Sequence, residues 1–368
     1  MHHQILRNRI LFDPEVCVKC GYCKSNCPTY LAKRDERVSP RGRLIISKKL
    51  YSGLSDVKNF LDFYNDLDTC SKCVECERIC PVGLKPWMNF VLVKNQTSLG
   101  NIESIIAKSI SKNKFIFRTL FWIFMKIRGS KYTSEDVKDI KLRSEHAHRD
   151  SLFIFPTCFG YTFFKNTIKK AVLILRYFGS DVKLLYDNFV CCGAPIFLSG
   201  DIEGFRKHAQ KVYQRLMEKN KNHKDFKILV FGSTCSWILK DVFPQEIGFS
   251  LGDIQEISDY LVDILSGLDF RINGKFLIHK PCHREKSLGE FFSSTGMEFK
   301  ETDFPCCGFG GSLMFKHWDM SDLLLEKTLE GKECDFIVST SPGCIIQLSR
   351  RKKALHLVDF LFDFILQR

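Results

Sequence analysis

A chain of 368 residues, 45% apolar and 26% charged, is too long for one small module and too apolar for a disordered one. Its 55 Lys and Arg against 42 Asp and Glu leave a formal charge of +13, which points to an acidic partner, a nucleic acid or an anionic membrane surface. The 17 cysteines fall well short of the roughly 8–10% of a disulfide scaffold, no apolar run reaches the roughly 18–20 residues of a membrane-spanning helix, and Met1 to Leu11 carry no export signal; the expected setting is a reducing cytoplasm, where thiols serve metals or catalysis.

Residues 1–95 hold eight cysteines in two groups separated by a polar helical stretch, Leu44 to Leu67. Cys17, Cys20, Cys23 and Cys27, then Cys70, Cys73, Cys76 and Cys80, each read C-x-x-C-x-x-C-x-x-x-C-P, the bacterial ferredoxin spacing for a 4Fe-4S cluster. In that arrangement three cysteines wrap one cluster and the fourth, starting a helix, ligates the other. The expected ligand sets are therefore crossed: Cys17, Cys20, Cys23 and Cys80 for one cluster, Cys70, Cys73, Cys76 and Cys27 for the second. Pro28 and Pro81 suit a first helical turn, where no backbone donor is lost. A zinc knuckle explains neither the third cysteine nor the Cys-Pro pair, twice over.

Residues 96–150 contain no cysteine and pass from an aromatic stretch, Phe115 to Ile127, flanked by Lys112, Lys114 and Lys131, to a charged one, Lys131 to Asp150. Apolar bulk with basic edges suits an in-plane membrane helix or a partner groove, and equally a helix packed across the chain's own domains. From Ser151 onward, strand candidates (Leu152–Phe155, Val182–Leu185, Ile228–Phe231, Phe276–Ile278, Phe336–Val338) alternate with helix candidates (Ile168–Phe178, Glu203–Lys219, Ile254–Leu265, Trp318–Leu329, Leu357–Leu366), the mark of an α/β layer structure. This region repeats itself. Cys158, Cys191-Cys192-Gly193 and Cys235 are answered in order by Cys282, Cys306-Cys307-Gly308 and Cys344, which divides it into 151–268 and 269–368.

The two-cluster segment, the stretch Ser39-Pro40-Arg41-Gly42-Arg43, Lys280-Pro281-Cys282-His283 and Cys306-Cys307-Gly308-Phe309-Gly310-Gly311 together resemble one family over nearly the whole chain. It is the family of iron–sulphur subunits of glycolate oxidase, anaerobic glycerol-3-phosphate dehydrogenase and lactate-utilisation systems, related to heterodisulfide reductase. The resemblance implies a mixed α+β or α/β fold class, with a helical two-cluster ferredoxin-like domain followed by two Rossmann-like repeats. It also implies further iron–sulphur binding at Cys158, Cys191, Cys192, Cys235, Cys282, Cys306, Cys307 and Cys344; a Cys-Cys-Gly turn can present both sulphurs to one cluster because glycine permits an unusual backbone angle. Inert buried thiols are the plainer alternative. The family's fullest pattern closes each repeat with C-x-x-C. Here Gly232 and Ser341 stand in for the first cysteine of that pair, leaving four per repeat, enough for a cubane cluster and one short for a disulfide-reducing site.

No G-x-G-x-x-G or P-loop occurs, so neither a flavin nor a nucleotide is expected on this chain, and no nucleic-acid contact is expected either. His283 and His317 are candidate proton donors or ordinary capping residues; Arg41 and Arg43 either neutralise cluster charge or form a solvated pair. Cys334 matches no motif. The expected function is electron transfer from an FAD-containing dehydrogenase, acting on a 2-hydroxyacid or glycerol-3-phosphate, toward quinone or another carrier. The runner-up is a catalytic heterodisulfide or disulfide reductase. The expected location is the cytoplasm, with 112–131 as a candidate contact for quinone or the inner face of the membrane.

Overall fold

The structure, a computed structural model, describes residues 14–51, 57–95, 98–133, 151–185, 189–219, 227–266, 275–284, 286–295 and 297–365. It divides into two compact units. The first comprises 1–105 with 197–201 and 303–331; the second comprises 106–196, 202–302 and 332–368.

The first unit is helical. Pro28 opens the helix Pro28–Lys33 with Cys27 as its cap, and Pro40 opens Pro40–Tyr51. The helical stretch expected over Leu44 to Leu67 is two helices, Pro40–Tyr51 and Val57–Asp68, and residues 52–56 lie outside the described ones. The Cys-Pro symmetry of the sequence is broken. Pro81 lies in a turn closed by Gly83 N–H to Cys80 O (3.1 Å), and the next helix begins only at Pro86. Trp318–Leu329 belongs to this unit and packs on Pro28–Lys33 through a small core of Val38, Cys306, Leu313, Met320 and Leu324.

The second unit contains two parallel sheets of four strands. β1 (Ser151–Phe155), β2 (Asp181–Leu184), β3 (Lys227–Val230) and β4 (Asp253–Glu256) lie in the order β2-β1-β3-β4; β5 (Phe276–His279), β6 (Phe299–Glu301), β7 (Phe336–Ser339) and β8 (Ala354–His356) lie in the order β6-β5-β7-β8. Parallel strands are covered on both faces and read as continuous apolar runs; Ile228, Leu229, Val230 and all four residues of β5 are buried accordingly. Each sheet reverses its winding between its two central strands, β1 and β3 or β5 and β7, and the crevice beyond the carboxyl ends of such strands is where α/β sheets bind ligands. The helix Lys165–Tyr177 of the first repeat packs on Leu357–Ile365 of the second, joined by Lys170 to Asp359 at 3.2 Å and Thr167 to Asp359 at 2.9 Å.

The α+β and α/β class read from the sequence is the observed one. Three strands escaped the sequence reading. β4 takes the first turn of the helix expected over Ile254–Leu265, which starts at Ile257; β6 and β8 are edge strands of three residues, too short for a period-two pattern to register.

Candidate metal centres

The first unit brings its eight N-terminal cysteines around two cavities. Cys17, Cys20, Cys23 and Cys80, with Arg41, Leu44 and Leu84, line one of about 360 Å³. Cys27, Cys70, Cys73 and Cys76, with Thr29, Arg43, Trp87 and Phe90, line the other, of about 300 Å³. The fourth cysteine of each group thus faces the space of the other group. The loops that wrap these cavities are wound tightly: Lys19, Gly21, Lys72 and Val74 all take left-handed backbone angles, φ between 57° and 78°.

The Arg41-Gly42-Arg43 stretch serves both cavities. Gly42 must be glycine, because a Cβ there would meet Glu36 O at 1.9 Å. Arg41 donates from Nε to Glu36 Oε1 (2.7 Å) and from Nη1 to Lys19 O (3.2 Å), which holds its guanidinium beside the Cys17–Cys23 loop. Arg43 is 1% exposed and donates to Asp66 O (3.0 Å), Thr29 Oγ1 (3.1 Å) and Thr69 Oγ1 (2.7 Å). The solvated-pair reading fails for Arg43. Burial, and then the neighbouring Cys27 and Cys17, push the Cys23 thiol up to about 12; burial likewise pushes Cys73 and Cys76 up. Buried thiols crowded together ionise readily only beside a compensating cation, which the iron of a bound cluster would supply. The donor set, four thiols per cavity with a guanidinium beside each, fits a 4Fe-4S cluster in both places.

The second Cys-Cys-Gly turn lies in this unit as well. Cys306 and Cys307 are buried, and Gly308 (φ +82°) packs so closely on Ser321 that a Cβ would stand 2.5 Å from Ser321 O. Gly310 and Gly311 lie against the second cysteine loop, where a Cβ would meet Ser71 O and Cys70 O at 2.5 and 2.6 Å. A charged network fastens the same contact. Asp68 accepts from Ser312 Oγ (2.6 Å), Lys316 Nζ (3.1 Å), His317 Nε2 (3.1 Å) and Lys94, and Lys94 and Lys316 both reach Glu103. Burial alone raises the Asp68 carboxyl, but His317, Lys94 and Lys316 outweigh it and hold the group well below the usual carboxylate range. His317 is thereby a hydrogen-bond partner of Asp68.

In the second unit Cys158 follows β1 and Cys235 follows β3, the two central strands of the first sheet. Cys191-Cys192-Gly193 joins them: Cys192 Sγ lies 3.1 Å from Cys235 Sγ, and Cys191 Sγ is 3.5 Å from Ser111 Oγ. Gly193 (φ +88°) leaves room for the rings of His208 and Phe205, which a Cβ would meet at 2.9–3.0 Å, and His208 Nε2 bonds Cys191 O at 2.8 Å. Hydrogen bonds from Cys158 and Cys192 hold the Cys191 thiol well below its ordinary value. Cys282 and Cys344 take the matching places after β5 and β7. His283 stacks on Trp237 (4.6 Å, 3°) with Nδ1 3.0 Å from Thr234 Oγ1.

Sequence reasoning missed several polar residues in this unit: His208, His279 at the end of β5, and the buried Glu256, Arg284 and Thr340. Superposing the two repeats could have flagged His279, which stands where the first repeat has Phe155.

The helix Lys114–Ile127 turns Phe117, Phe121 and Met125 inward, with Phe121 edge-on to Phe159 at 4.7 Å. Its opposite face exposes Phe115, Leu120, Trp122, Ile123 and Ile127 beside Arg118 and Lys126. Of the charged stretch expected over Lys131 to Asp150, residues 134–150 lie outside the described ones. Among the described residues no helix is long and apolar enough to cross a membrane.

The family model for a 4Fe-4S dicluster domain matches residues 14–84, and that for a cysteine-rich domain matches 152–240 and 276–349. The chain is 26% identical over 386 residues to the glycolate oxidase iron-sulfur subunit of Escherichia coli (strain K12), covering 94% of this chain and 92% of that one. It is 27% identical over 241 residues to lactate utilization protein A 2 of Bacillus cereus (strain 03BB102), covering 57% of this chain and 96% of that protein, and equally identical to lactate utilization protein A 1 of Bacillus anthracis (strain CDC 684 / NRRL 3495). No solved structure matches. With a dicluster domain ahead of two cysteine-rich domains, the chain belongs to the iron–sulphur proteins represented by these glycolate oxidase and lactate utilization relatives.

Proposed function

We propose that this iron–sulphur electron-transfer protein is the subunit that takes electrons from an FAD-containing dehydrogenase of a 2-hydroxyacid, glycolate or lactate, or of glycerol-3-phosphate, and passes them toward quinone or another carrier. The observation that carries the reading is the pair of four-cysteine cavities, each with an arginine beside it, in a chain similar over 94% of its length to a glycolate oxidase iron-sulfur subunit. Bound there, 4Fe-4S clusters supply one-electron transfer at potentials that hydrogen bonding and exposure adjust. The chain's own groups do the rest. Arg41 and Arg43 offset cluster charge, Trp87 and Phe90 keep water from the second cavity, and the Cys20 edge of the first is exposed, which suits electron entry or exit.

Sixteen cysteines carry the assignment: the two crossed sets, and the four of each repeat, Cys158, Cys191, Cys192 and Cys235, then Cys282, Cys306, Cys307 and Cys344. The working modules are 1–95, 151–268 and 269–368, joined through 96–150. The exposed apolar and basic face of Lys114–Ile127 supports peripheral attachment at the inner face of the membrane, near a quinone pool. Disulfide reduction is disfavoured in the first repeat, because Gly232 at φ +111° cannot readily become the missing cysteine.

Two measurements test this. Anaerobically prepared full-length protein should be reduced by an FAD-linked glycolate or lactate dehydrogenase and its substrate; a protein that dithionite reduces and no such dehydrogenase does would refute the partner. Cys80→Ala should alter the cluster of Cys17, Cys20 and Cys23, and Cys27→Ala the other. Effects confined to each cysteine's own group would refute the crossed ligation.

A further inference from the structure

The two cysteine loops of the first unit each place a lysine between their first and second cysteines, Lys19 between Cys17 and Cys20 and Lys72 between Cys70 and Cys73. Both lysines take the same left-handed backbone angle, φ 58° and 57°, so the loops turn alike at this point. Their side chains end in opposite surroundings. Lys19 is exposed, whereas Lys72 is 1% exposed and its Nζ lies 5.2 Å from the ring centroid of Phe90. Arg43, equally buried, brings its Cζ to 5.7 Å from the same ring. Phe90 and Arg43 line the cavity of Cys27, Cys70, Cys73 and Cys76. Two cations are thus buried on one ring at the wall of the second cavity. Each is drawn to the ring, but they repel one another, and buried charge persists only beside a compensating one.

The neighbouring carboxylates do not supply that compensation. Arg43 donates to three oxygens without formal charge, Asp66 O, Thr29 Oγ1 and Thr69 Oγ1. Asp68 and Glu103 are already shared by Lys94 and Lys316, two acids against two bases. At the first cavity, by contrast, Glu36 binds Arg41 and Lys24, and all three side chains are in part open to water, which screens them. A 4Fe-4S cluster on four thiolates is an anion and becomes more negative on reduction. We propose that Lys72, together with Arg43, sets the reduction potential of the second cluster above that of the first, so that electrons entering the dicluster domain collect at Cys27, Cys70, Cys73 and Cys76. This rests on the reading that both cavities hold clusters. One electron then passes from the reduced first cluster, which is reoxidised, to the second. Burial by itself works the other way, because a low dielectric disfavours the more negative, reduced state. The same low dielectric strengthens the pull of the buried Lys72, which exposed Lys19 exerts only through water. Burial also lowers the Lys72 pKa while Cys70 raises it; a bound anionic cluster adds to the second effect and keeps the ammonium charged.

The test is a stepwise redox titration of full-length, anaerobically prepared protein followed by EPR, with and without a soluble gadolinium chelate, which broadens the signal of a cluster near the surface. The expected result is that the signal spared by gadolinium, that of the buried second cluster, appears first as the potential is lowered. If the broadened signal appears first, or both appear together, the ordering is overturned, and this reading needs no variant. Lys72→Met and Lys72→Gln, which remove the charge and nearly keep the side chain's length, should retain the N-terminal clusters. Each should lower the midpoint of the spared signal, shifting its electron equilibrium with the other cluster by about tenfold or more, which is 59 mV for one electron. Lys19→Met should leave both midpoints in place. Unmoved midpoints in the Lys72 variants overturn the role of Lys72 while the clusters stand; a protein that shows no 4Fe-4S signal after anaerobic preparation overturns the cluster reading and this inference with it.

Discussion

The two cysteine-rich repeats share one sheet order and the same four cysteines, yet they differ at three equivalent positions beside them. Phe155 is answered by His279, Gly232 by Ser341, and Glu256, the last residue of β4, by His356, the last residue of β8. The Cys-Cys-Gly turn of the first repeat lies in the unit of its own sheet, whereas that of the second belongs to the unit of the N-terminal cysteines. The two repeats therefore keep the scaffold and the cysteines in common and differ in the residues around them. A shared α/β topology fixes where ligands gather and leaves their identity to single positions.

The largest break in the comparison should come from its glycines. Gly308→Ala drives a Cβ into the Ser321 carbonyl at a left-handed angle and should cost about 5 kcal/mol, enough to unfold a domain of ordinary stability. Gly193→Ala meets only the movable rings of His208 and Phe205, so a thermal melt should show the smaller loss.

The Glu256 and His356 pair sharpens the comparison through pH. Burial pushes Glu256 up to about 7 and His356 down to about 3. Folded Glu256 holds a proton that the unfolded chain releases above about 4.5, so its contribution is complete below that pH and is lost as pH rises toward 7. His356 behaves oppositely: its contribution is complete above about 6.5 and is lost as pH falls toward 3. Denaturant titrations should show Glu256→Gln flattening the neutral side of the stability profile by about 3 kcal/mol, and His356→Gln flattening the acid side by about 5 kcal/mol. An unchanged slope in either window would contradict the burial of that group.

The smallest effect separates the closing motifs. Ser341, at φ −109°, should accept Cys with a change under about 1 kcal/mol, while Gly232→Cys, at φ +111° and 3.1 Å from Pro342, should lose about 1–3 kcal/mol. Equal melting points for the two variants would count against the asymmetry.

The cysteine motifs and the five long apolar strand segments were legible because local spacing dictates them. Spacing alone also gave the expectation of crossed ligand sets, since Cys27 and Cys80 stand at fixed offsets from their groups, and each of the two lines the cavity of the other group. The Asp68 network was not legible: its partners Ser312, Lys316 and His317 are more than 240 positions away, and nothing local, even at His317, points to Asp68. Arg43 was ambiguous for the same reason, as only the folded chain brings Thr29, Asp66 and Thr69 around its guanidinium.

The discontinuity of the first unit has a consequence for how the chain is made. Residues 303–331 emerge from the ribosome about 200 residues after the N-terminal segment they cover, a delay of roughly 10–40 s at ordinary rates of synthesis. During that interval Asp68 lacks Ser312, Lys316 and His317, and the Cys70–Ser71 carbonyls lack the glycines that close over them. The second cysteine loop stays open to iron, and to oxidants, until translation is nearly finished.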